Sequence, residues 1–179
     1  MRIEVRLAGA GGQGLILAGI ILAETCGVYE GKYVVQTQNY GPEARGGSSR
    51  SDVIISSLPI LFPKARDIDL LACLSQEAYD DYHKEVSEDG LILLDSFYVR
   101  RFEMNKRVKG LPFSQTARER FGQELFANVI LLGALSKIFS SEYHIAQIDF
   151  LKMAVGKRVP PHHLKTNLTA LEIGYEMVT

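Results

Sequence analysis

The chain has 179 residues, of which 46% are hydrophobic and 23% are charged, the balance of an ordinary globular protein. This length suits one domain with a single sizeable core. The formal net charge is −1, so no overall field attracts nucleic acid or an anionic membrane surface. We therefore expect neither nucleic acid nor a membrane among the partners of this chain.

The chain carries two cysteines, Cys26 and Cys73, each inside an apolar stretch, and it has no C-x-x-C motif. Two thiols cannot supply the four ligands of a cysteine-bound iron–sulfur cluster or of a structural zinc site. Reduced, buried thiols are typical of a cytoplasmic protein. The sequence shows no secretory signal and no apolar run as long as a membrane span, so we expect a cytoplasmic location.

The chain opens with a strand pattern followed by a helix pattern. Residues 2–7 alternate apolar and polar side chains, as a strand does. Residues 15–26 form an apolar run that is long enough for a helix of three turns. Gly27 follows directly and would end this helix as a left-handed cap.

A glycine loop, GAGGQG, connects this strand to the helix. Strand, loop and helix form the context in which a G-x-G-x-x-G motif has meaning. We predict a tight turn, a close backbone approach and a close helix–strand contact at Gly9, Gly11 and Gly14. Gly12 and Gln13 complete this first group of candidate contact residues.

Two interpretations of the glycine loop stay open at this point. The free N–H groups at the helix start could hold an anionic group, or the glycines could serve only the packing of an α/β domain. A dinucleotide site needs an acidic residue at the end of the second strand. The predicted second strand, residues 33–38, ends instead in Gln36, Thr37 and Gln38, and Glu30 lies before it. This pattern argues against a nicotinamide site.

A second glycine-rich segment follows that strand and carries the candidates Tyr40, Glu43, Arg45, Gly46 and Gly47. An arginine can donate a pair of hydrogen bonds to a carboxylate or a phosphate. The same side chain could equally pair with a carboxylate across a subunit contact. Ligands of doubly wound sheets bind beyond the carboxyl ends of the strands. Because both glycine segments would leave such ends of neighbouring strands, we expect them to lie side by side.

The rest of the chain alternates strand-like and helix-like segments. Apolar runs predict strands at residues 52–56, 69–74, 90–95 and 107–113. Helical patterns predict helices at residues 77–86, 114–121, 128–139, 148–155 and 164–177. The apolar turn at residues 57–60 should pack onto the core. This alternation predicts an α/β fold with a mostly parallel sheet and helices on both faces.

The sequence contains no recognisable catalytic constellation. It lacks G-x-S-x-G, the P-loop lysine, H-E-x-x-H and a diphosphate–magnesium motif. His162 and His163 follow two prolines, and we interpret them as the start of a solvated helix. We therefore assign no catalytic and no metal-binding residue to this chain.

The pairing of GAGGQG at residues 9–14 with YGPEARGG at residues 40–47 is far more specific than either motif alone. Together with the strand at residues 52–56, it resembles the gamma subunit of 2-oxoacid:ferredoxin oxidoreductases, closest to the 2-oxoglutarate variety. The resemblance spans nearly the whole chain. It implies that residues 1–179 form a single Rossmann-like domain of the pyruvate/ketoisovalerate oxidoreductase gamma type.

The resemblance also implies a role within an enzyme. Such complexes oxidatively decarboxylate a 2-oxoacid with coenzyme A and pass the electrons to ferredoxin. Thiamine diphosphate, Mg²⁺ and the iron–sulfur clusters would sit in alpha, beta and possibly ferredoxin-like delta subunits, with coenzyme A there or at an interface. The isolated gamma chain would then be inactive. A stand-alone nucleotide-binding oxidoreductase and a non-catalytic assembly subunit stay open as alternatives.

Overall fold

The computed structural model describes residues 1–40, 48–104 and 107–178, which build one six-stranded sheet with helices on its faces. The strands are β1 (Arg2–Ala10), β2 (Tyr33–Tyr40), β3 (Ser48–Ser56), β4 (Ile68–Cys73), β5 (Val86–Asp95) and β6 (Arg107–Leu111). Their order across the sheet is β2-β3-β1-β4-β5-β6. Strands β1, β4, β5 and β6 run parallel to one another. The predicted mostly parallel α/β sheet is confirmed.

Strand β3 is the exception to the parallel pattern. It runs antiparallel to β1 on one side and to β2 on the other. Strands β1 and β2 are therefore not neighbours, and the prediction that the two glycine segments leave neighbouring strands is wrong. Apolar side chains that alternate along a strand are buried equally well in either strand direction, so the sequence pattern carries no signal for direction.

The two faces of the sheet are covered unequally. The helices are α1 (Leu15–Glu24), α2 (Gln76–Tyr82), α3 (Phe113–Phe121), α4 (Ala127–Glu142), α5 (Ile148–Arg158) and α6 (Pro161–Glu176). Helix α2 packs on one face, and the other helices contribute to the larger core on the opposite face. In β1, Leu7 faces the larger core and Ala8 faces the smaller one. Helices on both faces were predicted from the sequence, and this is confirmed.

Helices α4 and α6 are in backbone contact through two glycines. A Cβ atom at Gly133 of α4 would overlap the carbonyl oxygen of Leu171, and one at Gly174 of α6 would overlap that of Ile130. Because glycine has no side chain, the two helix backbones can approach this closely. A larger side chain at Gly133 or Gly174 would therefore push the two helices apart.

The first helix continues past the glycine that was predicted to end it. A π-helical turn, Thr25–Tyr29, follows α1 and contains Gly27. The hydroxyl of Thr25 donates to the carbonyl of Ile21 at 2.8 Å, and the ring of Tyr29 stacks on Phe150. The left-handed residue that ends the segment is Gly31, with φ +66°. Contacts made by side chains far along the chain therefore override the local stop signal.

The turn at residues 57–60 was expected to pack onto the core, and this prediction is wrong. Leu58 is 69% exposed, and Leu61, just beyond the turn, is 94% exposed. The backbone N–H of Ser57 donates to the carbonyl of Met1 at 3.0 Å, and Arg2 donates to the carbonyl of Phe62. These bonds hold the segment beyond the amino end of β1, where no core receives its side chains.

One stretch passes the length and composition test for a membrane span, contrary to the prediction. Residues Glu124–Glu142 form a continuous helix of 19 residues, and 72% of its apolar window is buried inside the protein. Burial of this kind is typical of the core helix of a globular domain. The stretch is the buried α4 with the short 3₁₀ turn Glu124–Phe126 before it.

Candidate functional site

The candidate site lies at the edge of the sheet where β1 and β4 have their carboxyl ends. Helix α1 follows β1 on one face and α2 follows β4 on the other, so this is a topological switch point of the sheet. Open α/β sheets bind their ligands in the crevice at such a point. The glycine loop, residues 9–14, forms one wall of this crevice.

Strand β3 lies between the glycine loop and Tyr40, the last described residue before the second glycine segment. Ser49 of β3 pairs with Gly9 of β1 on one side and with Tyr40 of β2 on the other. Two strand spacings, roughly 10 Å, therefore separate the backbones of Gly9 and Tyr40. The backbones of Tyr40 and Ser48, which flank the second glycine segment, lie at the same edge of the sheet as the glycine loop, although β1 and β2 are not neighbours.

The side chain of Gln13 closes the crevice between β1 and β4. Its Oε1 accepts a hydrogen bond from the backbone N–H of Ala10 at 2.7 Å. Its Nε2 donates to the backbone carbonyl of Leu74 at 3.2 Å. In a dinucleotide fold, backbone N–H groups of this loop face the pyrophosphate. Here a side chain of the protein already satisfies the N–H of Ala10.

The glycines of the loop serve different purposes. A Cβ atom at Gly9 would collide with Gln13 and would lie 2.8 Å from the side chain of Leu15. Gly12 and Gly14 have φ of +91° and +74°, which glycine adopts without strain. The described residues with positive φ do not include the exposed Gly11. The left-handed conformations therefore fall at Gly12 and Gly14.

Gly14 links the loop to the core of the protein. A Cβ atom at Gly14 would overlap the side-chain amide of Asn128, which donates to the carbonyl of Gly14 at 3.1 Å. Gly14 is also the N-cap of α1, and no side chain of the described residues caps this helix. The first-turn N–H groups and the helix dipole favour an anion at this helix start.

The predicted candidates of the second glycine segment lie in or next to the part of the chain that the structure does not describe. Glu43, Arg45, Gly46 and Gly47 lie outside the described residues, and only the backbone of Tyr40 is described. Their assignment to the site remains a prediction. Arg50 and Tyr40 flank this stretch, at the start of β3 and the end of β2.

A buried ion cluster beside the site was missed from the sequence. The guanidinium of Arg6 donates to both carboxylate oxygens of Asp52, at 2.7 and 3.0 Å, and to Glu85 at 2.6 Å. Burial lowers the pKa of Arg6, but the hydrogen bonds and charges of the two carboxylates outweigh it and leave that pKa above its ordinary value. Arg6 looked like a solvent-facing position of an alternating strand. Because Asp52 is far away in sequence, no local signal predicts the pair.

A polar cavity of about 320 Å³ lies next to this cluster. It is lined by Thr37, Gln38, Asn39, Arg50, Asp52, Lys64 and Ala65. Arg50 lies 3.6 Å from Asp52, and its guanidinium sits 5.3 Å from the ring centre of Tyr82. The cavity therefore combines two cations and the carboxylate of Asp52 with amide and hydroxyl groups, beside the edge strand β2.

A second, mostly apolar cavity of about 340 Å³ lies between α1, α4, α5 and α6. Leu17 and Leu125 line it and are 39% and 61% exposed, so the cavity opens to the surface. Asn128, which holds Gly14, also lines it. No sequence motif marked this cavity, because its walls come from four separate helices.

The two cysteines and Glu30 could have carried chemistry, but in the structure they stabilise the fold. Cys26 and Cys73 are buried free thiols, and burial raises the pKa of both well above the ordinary range, so they stay neutral. Glu30 accepts hydrogen bonds from the backbone N–H groups of Ala146 and Gln147, at 2.9 and 2.8 Å. It is thus committed to the loop before α5. Within the described residues, no three His, Cys, Asp or Glu side chains are grouped to hold a metal ion.

Comparison with known proteins identifies the family to which this chain belongs. Residues 4–177 match the family described as pyruvate ferredoxin/flavodoxin oxidoreductase. The 2-oxoglutarate synthase subunit KorC of Methanocaldococcus jannaschii is 42% identical over 180 residues, which cover 99% of this chain and 94% of that protein.

Two solved structures share the fold. The keto/oxoacid ferredoxin oxidoreductase gamma subunit of Geobacter sulfurreducens is 39% identical, with a TM-score of 0.87 over 99% of this chain and 96% of that one. The 2-oxoglutarate:ferredoxin oxidoreductase of Magnetococcus marinus, solved with 2-oxoglutarate, coenzyme A and succinyl-CoA, is 25% identical with a TM-score of 0.83. There the match covers 98% of this chain but 31% of the longer chain. The chain therefore belongs to the pyruvate ferredoxin/flavodoxin oxidoreductase family, as a gamma subunit of the 2-oxoacid:ferredoxin oxidoreductases.

Proposed function

We propose that this gamma subunit serves an enzyme that acts on 2-oxoglutarate. The observation that carries the proposal is the 42% identity to a 2-oxoglutarate synthase subunit over nearly the full length of both chains. The enzyme would decarboxylate the 2-oxoacid, join the acyl group to the thiol of coenzyme A, and pass the released electron pair to ferredoxin. Thiamine diphosphate, Mg²⁺ and the iron–sulfur clusters would belong to alpha, beta and possibly delta subunits in the cytoplasm.

The assignment of 2-oxoglutarate as the substrate can be tested on the assembled complex. We expect the complex co-purified with this chain to reduce a viologen dye with 2-oxoglutarate and coenzyme A, and to turn over pyruvate far more slowly. The chain alone should be colourless and should reduce no dye. Faster turnover with pyruvate would overturn the assignment to 2-oxoglutarate.

The two glycine segments would form one contact surface in that complex. Its members are Gly9, Gly11, Gly12, Gln13, Gly14, Tyr40, Glu43, Arg45, Gly46 and Gly47. Two features support an anionic group of coenzyme A as the occupant: the start of α1, which no described side chain caps, and the cation Arg50 in the adjacent cavity. The alternative occupant is a surface of the catalytic subunits.

Replacement of one arginine separates these two roles. We expect Arg45→Ala either to raise the KM for coenzyme A about tenfold, because a hydrogen bond to a charged group is lost, or to weaken assembly. The matched control is Arg101→Ala, since the side chain of Arg101 is 82% exposed and lies 3.9 Å from its acidic neighbour. Normal assembly with a raised KM identifies a ligand site, and dissociation on gel filtration identifies a docking site. If Arg45→Ala behaves like the control in both assays, the proposed surface is wrong.

A further inference from the structure

An exposed apolar loop lies at the edge of the sheet opposite to the glycine loop. The loop, residues 58–62, has the sequence LPILF, and we name it the LPILF loop. Leu58 is 69% exposed, Leu61 is 94% exposed and Phe62 is 42% exposed. Single exposed leucines are common on protein surfaces, but a contiguous apolar run marks a surface that binds another molecule.

The LPILF loop is held in place at both ends. The backbone N–H of Leu58 donates to the hydroxyl of Ser56 at 3.1 Å, and Arg2 donates to the carbonyl of Phe62 at 3.3 Å. The guanidinium of Arg66 lies 4.1 Å from the ring centre of Phe62. These contacts hold the backbone at the two ends of the loop and the ring of Phe62, which reduces the entropy lost when the loop becomes buried against a partner.

The segment after the loop is anchored as well. The carboxylate of Glu4, in β1, accepts hydrogen bonds from the backbone N–H groups of Arg66 and Asp67, the latter at 3.1 Å. Arg2, Lys64 and Arg66 are exposed around the loop, against two carboxylates: the exposed Asp67, and Glu4, which pairs with Arg2 at 2.7 Å. The rim therefore carries an excess of positive charge around an apolar centre, an arrangement typical of a protein interface.

We propose that the LPILF loop docks this chain onto a larger subunit of the oxidoreductase complex, in an apolar depression bordered by acidic side chains. In the Magnetococcus enzyme the matching region is 31% of one longer chain, which keeps it attached to its neighbours covalently. The present chain matches a separate gamma subunit over 96% of that subunit's length. A contact between separate subunits needs an apolar centre, and this loop offers one.

The LPILF loop and the glycine loop lie at opposite ends of β1. This strand has nine residues, which corresponds to roughly 27 Å between the two edges. Loss of the docking contact can therefore be distinguished from failure of the proposed coenzyme A surface. The inference depends on membership in a multi-subunit complex and not on which 2-oxoacid the complex uses.

The first test is chemical labelling in the intact complex. L61C and, as a matched control, M104C each introduce one thiol; Met104 is also largely exposed, at 81%, but lies outside the loop. Both native cysteines are buried. We expect maleimide to label L61C at least about tenfold more slowly than M104C in the assembled complex, with the sites resolved by peptide mass spectrometry. Equal labelling rates would overturn the proposal.

The second test disrupts the contact. The tagged chain carrying both Leu58→Asp and Leu61→Asp is co-expressed with the other subunits, and Met104→Asp is the control. We expect the double variant to retain about tenfold less of the larger subunits, because charge is placed at the centre of the contact. If the double variant retains them as well as the control does, the loop is not the docking site. If instead it loses only self-association of this chain, the occupant is a second copy and the proposal is wrong.

Discussion

The side-chain amide of Gln13 donates a hydrogen bond of 3.2 Å to the backbone carbonyl of Leu74, and so joins the ends of two parallel strands. The oxygen of the same amide accepts from the backbone of Ala10. One side chain therefore satisfies a backbone N–H of the kind that faces the pyrophosphate in dinucleotide-binding folds. The glycine loop keeps the shape of a phosphate loop while part of its binding capacity is used internally.

We expect Gln13→Ala to destabilise the protein by about 1–3 kcal/mol, because it leaves the Ala10 N–H and the Leu74 carbonyl without this partner. Chemical denaturation with urea measures the change. Gln115→Ala is the control, since Gln115 is exposed on α3 and bonds only to Glu119 across one helical turn. The control should change stability by less than about 0.5 kcal/mol. Equal effects of the two variants would show that the Gln13 bridge contributes nothing.

We predict that the chain binds NAD(H) no more tightly than about 1 mM, roughly −4 kcal/mol. The N–H of Ala10 is occupied by Gln13, and the carboxylate of Glu30 is held by the backbone of Ala146 and Gln147. Isothermal titration calorimetry measures the affinity, with a known NAD-dependent dehydrogenase run alongside. Micromolar binding would favour the alternative of a stand-alone nucleotide-binding oxidoreductase.

Gly174→Ala should destabilise the protein by about 3 kcal/mol, at the upper end of the range for overpacked cores. The new methyl group would meet the carbonyl of Ile130, which belongs to a helix backbone and cannot rotate away. Gly156→Ala is the matched control within a helix, because its nearest neighbour would be the flexible side chain of Leu164 at 3.8 Å. There alanine should be neutral or stabilise by up to about 1 kcal/mol. Thermal unfolding of both variants checks this order, and its reversal would contradict the packing described for α4 and α6.

Arg6→Met should destabilise the folded protein by about 3–5 kcal/mol, because it leaves the buried carboxylate of Asp52 with only the more distant Arg50. Arg107→Met is the control, since Arg107 and Glu142 form an ion pair in which both side chains are well exposed. Removal of such a pair should cost less than about 1 kcal/mol. Urea denaturation at neutral pH compares the two, and a loss at Arg6 no larger than at Arg107 would refute a structural role for the cluster.

Local patterns in the sequence predicted most of the fold. The strand–glycine–helix order at residues 2–26 and the apolar runs of β4 and β5 identified the parallel half of the sheet, because buried parallel strands are apolar throughout. The direction of β3 could not be predicted, since alternation is the same in both directions. The continuation past Gly27 depends on the packing of Tyr29 against a residue far along the chain.

The candidate site could be predicted only in part. The glycine positions and the lack of a ribose-binding carboxylate could be recognised in the sequence, because both depend on residue type at a fixed spacing. The pairing of Arg6 with Asp52 and the polar cavity at Arg50 arise from strand neighbours that no local pattern identifies. The exposure of Leu58 could not be predicted either, because residue type alone does not show whether the core has room for the side chain.

The pairing of β1 with β3 determines how the two ends of β1 are positioned relative to each other. Every residue from Arg2 to Ala10 is paired with β3, from Ser56 at one end to Ser48 at the other. A strand held along its whole length has no hinge, so its two ends keep a constant separation and orientation. If a larger assembly holds the amino end of this strand, the same contact would also fix the position of the glycine loop at the other end.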